Sequence, residues 1–565
     1  MSVSAIKMKS PTHNAQECYR RALAAHQATQ WQQAESAYLE LLAHNPGHPN
    51  ASSLLGTLYL QLNMPAPAAE WLSKAVTINP RQHDVWSNLA NAQLALGRLE
   101  DALISYNQAI ALKPEHVGGY INRANAHHAL LNYPASLVDA ECAIRLQPDN
   151  AVAHNLHGNA LLGLKRYEEA LASYDAAIKL KPDFADAFNN RANALRYMQR
   201  LDQALASYNQ SLSLQPDFVD GYFNRAMVLE ELGRFDDALA DYDRVLSFQP
   251  QHAGVHWHKS AIKLLKGEWE EGWKLYEWRW IHKALGLHDP YPAQKRWDGK
   301  STLHGKTILI HTEQGMGDSI QFCRYIPLLV AQGAHVALVV TPALKNLMST
   351  LPCEVSLYSD GDTLPGYDFH FPLLSLPLAL NTTLASLPNK VPYLAVTPAK
   401  RDEWKEKVGV SARPKIGVIW NGAAINPNDR HRSMSLQALV PLLAENYSFH
   451  CLQKEIRPQD QAILHKLPQL QLHELSDFTD TAALIEQMDI VISVCTSVGH
   501  LAGALNKPLW MMLTKYADWR WLEQRSDSPW YPSARLFRQQ TNDDWSNVVN
   551  QIIITLNSTF STTQK

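Results

Sequence analysis

Residues 83–116 read HDVWSNLANAQLALGRLEDALISYNQAIALKPEH. The stretch is 34 residues long, and its pattern recurs along the first half of the chain. With His83 as position 1, Pro114 falls at position 32. Prolines stand at that position seven times: Pro46, Pro80, Pro114, Pro148, Pro182, Pro216 and Pro250. Other columns keep the same register. Position 8 holds Ala22, Gly56, Ala90, Ala124, Gly158, Ala192 and Ala226, and position 20 holds Ala34, Ala68, Ala102, Ser136, Ala170, Ala204 and Ala238. Position 24 holds Tyr38, Leu72, Tyr106, Ala140, Tyr174, Tyr208 and Tyr242. Small side chains at 8 and 20 let two antiparallel helices approach closely. The aromatic at 24 fills the space between neighbouring repeats. Gly97 and Gly233, at position 15, end the first helix in a turn, and the proline closes the second.

A 34-residue period with these columns is the tetratricopeptide repeat. Seven full repeats are followed by a degraded eighth. There Gly267 takes the turn, Gly272 takes the small position, and Trp269 and Tyr276 take aromatic positions. The expected structure is an α-solenoid over residues 13–285. Two further columns are polar. Position 6 carries Asn88, Asn122, Asn190 and Asn224, on the first helix of each repeat, which lines the concave groove of such arrays. An asparagine row offers donor and acceptor to the backbone of an extended peptide of any sequence. The alternative is that these amides bond neighbouring repeats and hold the stack. Position 9 (Asn91, Asn125, Asn159, Asn193) sits nearer the helix–helix seam, which favours the stack-holding role.

The period changes near residue 286. HDPYPAQKRWDG (288–299) reads as a linker, assigned to 286–304. Short apolar strands then alternate with helical spacing: strands near 307–311, 335–340 and 354–359, with a helix over 319–330. A second such unit starts at KIGVIWNG (415–422) and includes FHCLQKE (449–455) and DIVISVCTSVGHLAGALNKPLWMML (489–513). This order predicts two parallel α/β lobes, 305–400 and 413–552, joined by a helical bridge, with a flexible tail over 553–565.

Composition narrows the function. A chain of 565 residues is expected to hold three to four domains of about 150 residues. Hydrophobic residues at 46% and charged residues at 19% exclude a disordered or coiled-coil chain. The net charge of −3 gives no overall footprint for nucleic acid. Six singly spaced cysteines read as reduced thiols rather than a disulfide framework or zinc site. The first residues lack a signal-peptide apolar stretch, and no 18-residue apolar run exists, so a cytoplasmic protein without a membrane span is expected. Of 16 tryptophans, 13 lie at or beyond Trp257, which sets the two halves apart.

Three motifs carry candidate chemistry. In GMGDS (315–319), Gly315 and Gly317 follow a strand and precede a helix, bringing backbone close to whatever sits above the strand end. Asp318 is there either a helix cap or a general base. In CTSVGH (495–500), Thr496 and Ser497 open a helix whose free N–H groups suit a diphosphate. His500 lies one turn in, as a phosphate or ribose contact or as a core histidine. In NDRHRSMSL (428–436), Arg430 and Arg432 are either charge-neutralising partners of a diphosphate or an ordinary charged loop. DGD (360–362) is a weak candidate for cation binding. No His/Cys cluster has zinc spacing, so neither metal nor cofactor is expected.

GMGDSIQFCRYIPLL, VIWNG with DRHRSMSL, CLQKE, and DTAALIEQMDIVISVCTSVGHLAGALNKPLW resemble the lipopolysaccharide heptosyltransferase-like glycosyltransferases, across residues 305–550. Residues 518–539 look like the form found in bacterial proteins that join tetratricopeptide repeats to such a domain. The resemblance implies a GT-B fold, with Asp318 as catalytic base. It implies nucleotide-diphosphate contacts at Thr496, Ser497 and His500, a basic contact at Arg432, and ribose contact at Glu455 beside Lys454. The family usually has Asp where this chain has Cys495, and a thiol cannot supply a carboxylate's charge. An asparagine ladder ahead of a two-lobed transferase also resembles the architecture of protein O-linked N-acetylglucosamine transferase. The leading expectation is therefore a metal-independent, inverting transferase using a nucleotide-sugar donor and a protein acceptor recruited by the repeats. The alternatives are lipopolysaccharide-type sugar transfer, and a non-catalytic protein-binding scaffold.

Overall fold

The computed structural model describes residues 11–48, 50–422, 429, 432–541 and 544–561. The chain forms two compact units, Met1–Leu232 and Gly233–Lys565.

The first unit is an α-solenoid of paired helices, such as His83–Ala95 with Leu99–Leu112. Each proline of the repeat lies two residues past a second helix, as Pro114 follows Leu112 and Pro182 follows Leu180. The small columns are small because there is no room. A Cβ on Gly158 would lie 2.5 Å from the Tyr174 ring, and one on Gly56 would lie 2.5 Å from Leu72 Cγ. Tyr106, Tyr174 and Tyr208 are fully buried. Their hydroxyls donate to the side-chain oxygens of Asn91 (2.6 Å), Asn159 (2.8 Å) and Asn193, so position 9 satisfies the buried phenols.

The position-6 amides bond to the preceding repeat. Asn88 donates to Thr57 Oγ1 (3.2 Å), Asn122 to Asn91 (3.1 Å), Asn190 to Asn155 (3.1 Å) and Asn224 to Asn189 (3.2 Å). Each such bond contributes about 0.5–1.5 kcal/mol net. Replacing Asn88, Asn122, Asn190 and Asn224 together with Ala should therefore lower the melting temperature followed by circular dichroism. An unchanged melt would remove the stacking role.

The second unit begins inside the seventh repeat. The eighth repeat is the pair Ala253–Leu265 and Trp269–Tyr276, and its second helix gives way to a tight turn at Glu277–Trp280. Two parallel sheets follow. The first has β1 (Thr307–His311), β2 (His335–Val339), β3 (Ser356–Tyr358) and β4 (Phe369–Pro372), in the order β3-β2-β1-β4. The second has β5 (Lys415–Ile419), β6 (Ser448–Cys451), β7 (Leu470–Gln471), β8 (Ile490–Val494), β9 (Leu509–Leu513) and β10 (Ala534–Arg538), in the order β10-β9-β8-β5-β6-β7. Strands buried on both faces and separated by helices pair in parallel.

Three details differ from expectation. The helix expected over 319–330 is two helices, Met316–Phe322 and Ile326–Ala331. Pro327 has no N–H to continue the first, and its ring would meet the carbonyl four residues back. The expected linker is a docked strap: Trp297 is buried, and its N–H donates to the His370 carbonyl at 3.0 Å. Most of the expected tail belongs to the helix Trp545–Ser561, which buries Val548, Val549, Ile552 and Leu556 at helical spacing.

The tryptophan excess has a structural cause. Trp269 stacks on Trp530 (5.2 Å between centroids), and Trp273 meets Trp519 edge-on (5.3 Å) and Phe322 (6.2 Å). One continuous core thus runs from the eighth repeat through the first sheet to the segment following β9.

Candidate functional site

Both sheets reverse their winding direction once, between β1 and β4 and between β5 and β8. Ligands of open parallel sheets sit beyond the carboxyl ends of the strands at such points. GMGDS follows β1, Trp420–Asn421–Gly422 follows β5, and CTSVGH follows β8, so these candidate motifs lie at switch points.

The first helix starts at Gly315. Asp318 Oδ2 accepts the Gly315 N–H at 3.0 Å, which is a capping role. Its Oδ1 pairs with the Arg520 guanidinium. Arg520 is nearly buried, lies over Trp519, and also holds Asp518 (2.9 Å) and the Gln321 side-chain oxygen (2.8 Å).

The helix Ser497–Ala504 meets the first one directly. A Cβ on Gly317 would lie 3.2 Å from His500 Cδ2 and 3.4 Å from Ser497 Cα. Thr496 caps this second helix: its hydroxyl accepts the Gly499 N–H (3.3 Å) and shares a hydrogen bond with Ser493 (3.2 Å). His500 is buried, 2.9 Å from the Tyr531 hydroxyl through Nδ1, and stacked on Trp521. Burial, then the charges of Arg520, Arg324 and Arg432, hold its pKa well below the ordinary value, so the ring is neutral. Cys495 accepts the Trp521 indole N–H at 3.2 Å, and burial pushes its thiol up to about 11. It is a neutral packing group where the resembling family has a carboxylate.

Arg432 lies over Gly422, its Nη2 3.0 Å from where a Cβ would stand. Among the described residues its Nε is buried without a hydrogen-bond partner, and its nearest carboxylate, Asp429, is 3.8 Å away. Arg430 lies outside the described residues. Lys454 is exposed and donates to the Ser476 carbonyl at 2.8 Å; Glu455 is exposed at the end of β6. In the DGD triplet, Asp362 accepts the Ser359 N–H (2.9 Å) and pairs with Lys345 (2.6 Å), which makes it a turn cap.

Sequence reasoning assigned no role to several residues here. Arg324 is 3% exposed and bonds the carbonyls of Trp530 (2.7 Å) and Gln321 (2.8 Å) and the Tyr393 hydroxyl (2.8 Å). It has no carboxylate partner among the described residues. Arg457 donates to the Gly422 carbonyl at 3.0 Å and pairs with Asp429. Their neighbours come from distant segments, so no local spacing marks them. Arginines thus surround a neutral histidine, an arrangement suited to an anion.

The same loop is tied to the eighth repeat. Arg279, fully buried, donates to Glu313 (2.9 Å), Ser375 (2.7 Å) and Glu277 (2.6 Å). Burial raises the Glu313 carboxyl from 4.5 to about 7, although Arg279 opposes it. A carboxyl raised on folding contributes stability that is complete below its unfolded pKa and lost as pH rises through the folded one. Wild-type stability should therefore fall relative to Glu313→Gln between about pH 4.5 and 7. Parallel urea-unfolding curves for the two proteins across that range would remove this assignment.

The repeats match known family profiles. Tetratricopeptide repeat profiles match residues 19–83, 83–116 and 189–253, and a TPR repeat profile matches 158–196. The first part of the chain is a tetratricopeptide array. The chain is 27% identical to Protein FlbA of Caulobacter vibrioides over 335 residues, 54% of this chain and 55% of that protein. It thus spans about half the length of that curated relative. Among solved structures, a tetratricopeptide repeat protein from Parabacteroides merdae is 17% identical, with TM-score 0.39, covering 43% of this chain and 96% of that one. The Thermus thermophilus tetratricopeptide protein TTC0263 is 26% identical, with TM-score 0.28, covering 32% and 98%.

Proposed function

We propose that the second unit is a GT-B-type glycosyltransferase that moves a sugar from a nucleotide-sugar donor to an acceptor, a protein recruited by the repeats. The observation that carries this is the meeting of the Gly315–Asp318 turn with the Thr496–His500 helix start, flanked by Arg520, Arg432 and Arg324. It agrees with the heptosyltransferase-like motifs, which put base and diphosphate contacts on these positions.

In the proposed step the acceptor hydroxyl oxygen attacks the anomeric carbon while Asp318 takes its proton. The bond from that carbon to the phosphate oxygen breaks, the electron pair leaves with the nucleotide diphosphate, and configuration inverts. Helix N–H groups, Ser497 and Arg432 stabilise the leaving charge, so no divalent cation is required. Neutral His500 donates or accepts a hydrogen bond without adding charge. The resemblance assigns the ribose contact to Glu455 beside Lys454, and in this reading the asparagine row of the repeats supplies acceptor contacts. A scaffold that binds nucleotide without transfer is the second reading, favoured by Cys495 and by the engagement of both Asp318 oxygens.

A panel of nucleoside diphosphates separates these. A matching diphosphate at 100 times its Kd should stabilise the protein by about 2.7 kcal/mol. A panel without any shift overturns transfer and nucleotide binding alike and leaves the protein-binding scaffold. Arg432→Ala should weaken that binding by about 1.5–3 kcal/mol, measured by calorimetry. With a matching donor and acceptor, Asp318→Asn should keep diphosphate binding and lose transfer about 10²- to 10⁴-fold. Binding without any wild-type transfer selects the scaffold. Added Mg²⁺ or Mn²⁺ should leave the rate of chelator-treated enzyme unchanged; rescue by either ion would overturn the metal-independent step.

A further inference from the structure

The strap over residues 286–304 crosses the face of the first sheet that carries Leu309, Ala337 and Val339. Two histidines share that face. The β1–β4 register aligns Leu309 with His370 and His311 with Pro372, which makes His311 and His370 diagonal neighbours. Asp289 of the strap completes a cluster. Its Oδ1 is 3.5 Å from His311 Nε2 and 3.7 Å from His370 Nδ1, and one ligand atom from each of the three residues lies within 4.8 Å of the others.

The hydrogen bonding leaves these atoms unmet. His311 is 3% exposed and His370 is fully buried. His370 Nε2 lies 3.0 Å from the Pro292 carbonyl. A carbonyl only accepts, so Nε2 carries the proton and Nδ1 presents a lone pair. That lone pair faces a carboxylate oxygen, acceptor against acceptor. Among the described residues, His311 Nε2 and His370 Nδ1 are both buried and without hydrogen-bond partners. A cation between them resolves the arrangement. Arg296 pairs with Asp289 Oδ2 at 3.4 Å and leaves Oδ1 to face the two rings.

We propose that Asp289, His311 and His370 bind one divalent transition-metal ion of the zinc type. A tetrahedral ion with bonds of about 2.0–2.2 Å separates its ligand atoms by about 3.3–3.6 Å, near the two distances to Asp289. The supporting contacts match such a site. The Pro292 carbonyl orients the His370 ring, as a partner behind a metal-bound imidazole does. The Tyr291 N–H donates to Asp289 Oδ1 at 3.2 Å, and the Tyr291 ring packs 4.8 Å from His311 and 5.4 Å from His370. Three protein ligands leave a fourth position open. The ion pins the strap to the sheet and takes no part in the proposed sugar transfer, so the site stands or falls separately from that function.

The test uses the full chain stripped with a chelator. Titration with Co²⁺ should give visible ligand-field bands saturating at one equivalent per chain, bleached by Zn²⁺, and Zn²⁺ should raise the melting temperature. The double substitution His311→Gln with His370→Gln should abolish the bands and weaken Zn²⁺ binding at least a hundredfold. Asp289→Asn should weaken both, and serves where the double variant does not fold. Absence of Co²⁺ bands in the wild type, or equal bands in Asp289→Asn and the double variant, would overturn the site.

Discussion

Gly317 sits where two helices begin almost on top of each other, with His500 and Ser497 filling the space a side chain would need. Each helix start carries unpaired N–H groups and the positive end of a dipole. Bringing two together is unfavourable unless negative charge is supplied. Asp318 supplies part of it, reaching back to one helix start with one oxygen and to Arg520 with the other. Arg324 and Arg432 add positive charge near His500, and Arg324 has no carboxylate counterpart among the described residues. The fold thus concentrates positive potential at the switch points of both sheets and leaves it under-neutralised.

What keeps the two lobes in this register is the aromatic core between them and the eighth repeat. Trp269 and Trp273 come from the repeat, Phe322 from the helix carrying Asp318, and Trp519 and Trp530 from the segment carrying Arg520. The pair Arg279–Glu313 adds a polar tie between the repeat's last turn and the loop leading to Gly315. A repeat that ends in an eight-residue helix is therefore fitted to the α/β unit. Within that repeat Gly272 lies against Leu264, where a Cβ would be 2.7 Å from the leucine side chain.

The repeats were legible because a 34-residue period encodes nearest-neighbour packing, and each column has one local cause. Strands such as Thr307–His311 were legible because burial on both faces makes them continuously apolar. The motifs at Gly315 and Thr496 were legible as turns between strand and helix. Arg520, Arg324, Arg279 and the histidine pair were not, since the long-range partners that define their places lie 22 to 206 residues away and no spacing encodes them. The strap read as a linker because Pro290, Pro292 and Gly299 mark irregular backbone, and irregular backbone docks as readily as it dangles when it carries Trp297 and Tyr291. The asparagine row was ambiguous for a chemical reason. One amide has two donors and an acceptor, so bonding the neighbouring repeat does not exhaust it.

On the proposed function, the Arg520–Asp318 pair sets an order of events. While Arg520 holds Oδ1 and the Gly315 N–H holds Oδ2, both Asp318 oxygens are engaged. A nucleotide diphosphate arriving over the Thr496–His500 helix start brings two negative phosphates toward the same arginine. Arg520, already shared between Asp318 and Asp518, can turn part of its hydrogen bonding to the newcomer without losing its counter-charge. On that proposal Oδ1 of Asp318 is freed to face the acceptor hydroxyl only once donor is present. The same exchange discourages proton abstraction when the donor site is empty, and it makes donor binding precede activation of the acceptor. Cys495 is a neutral thiol held by Trp521, in a place where a carboxylate would compete for the same arginines.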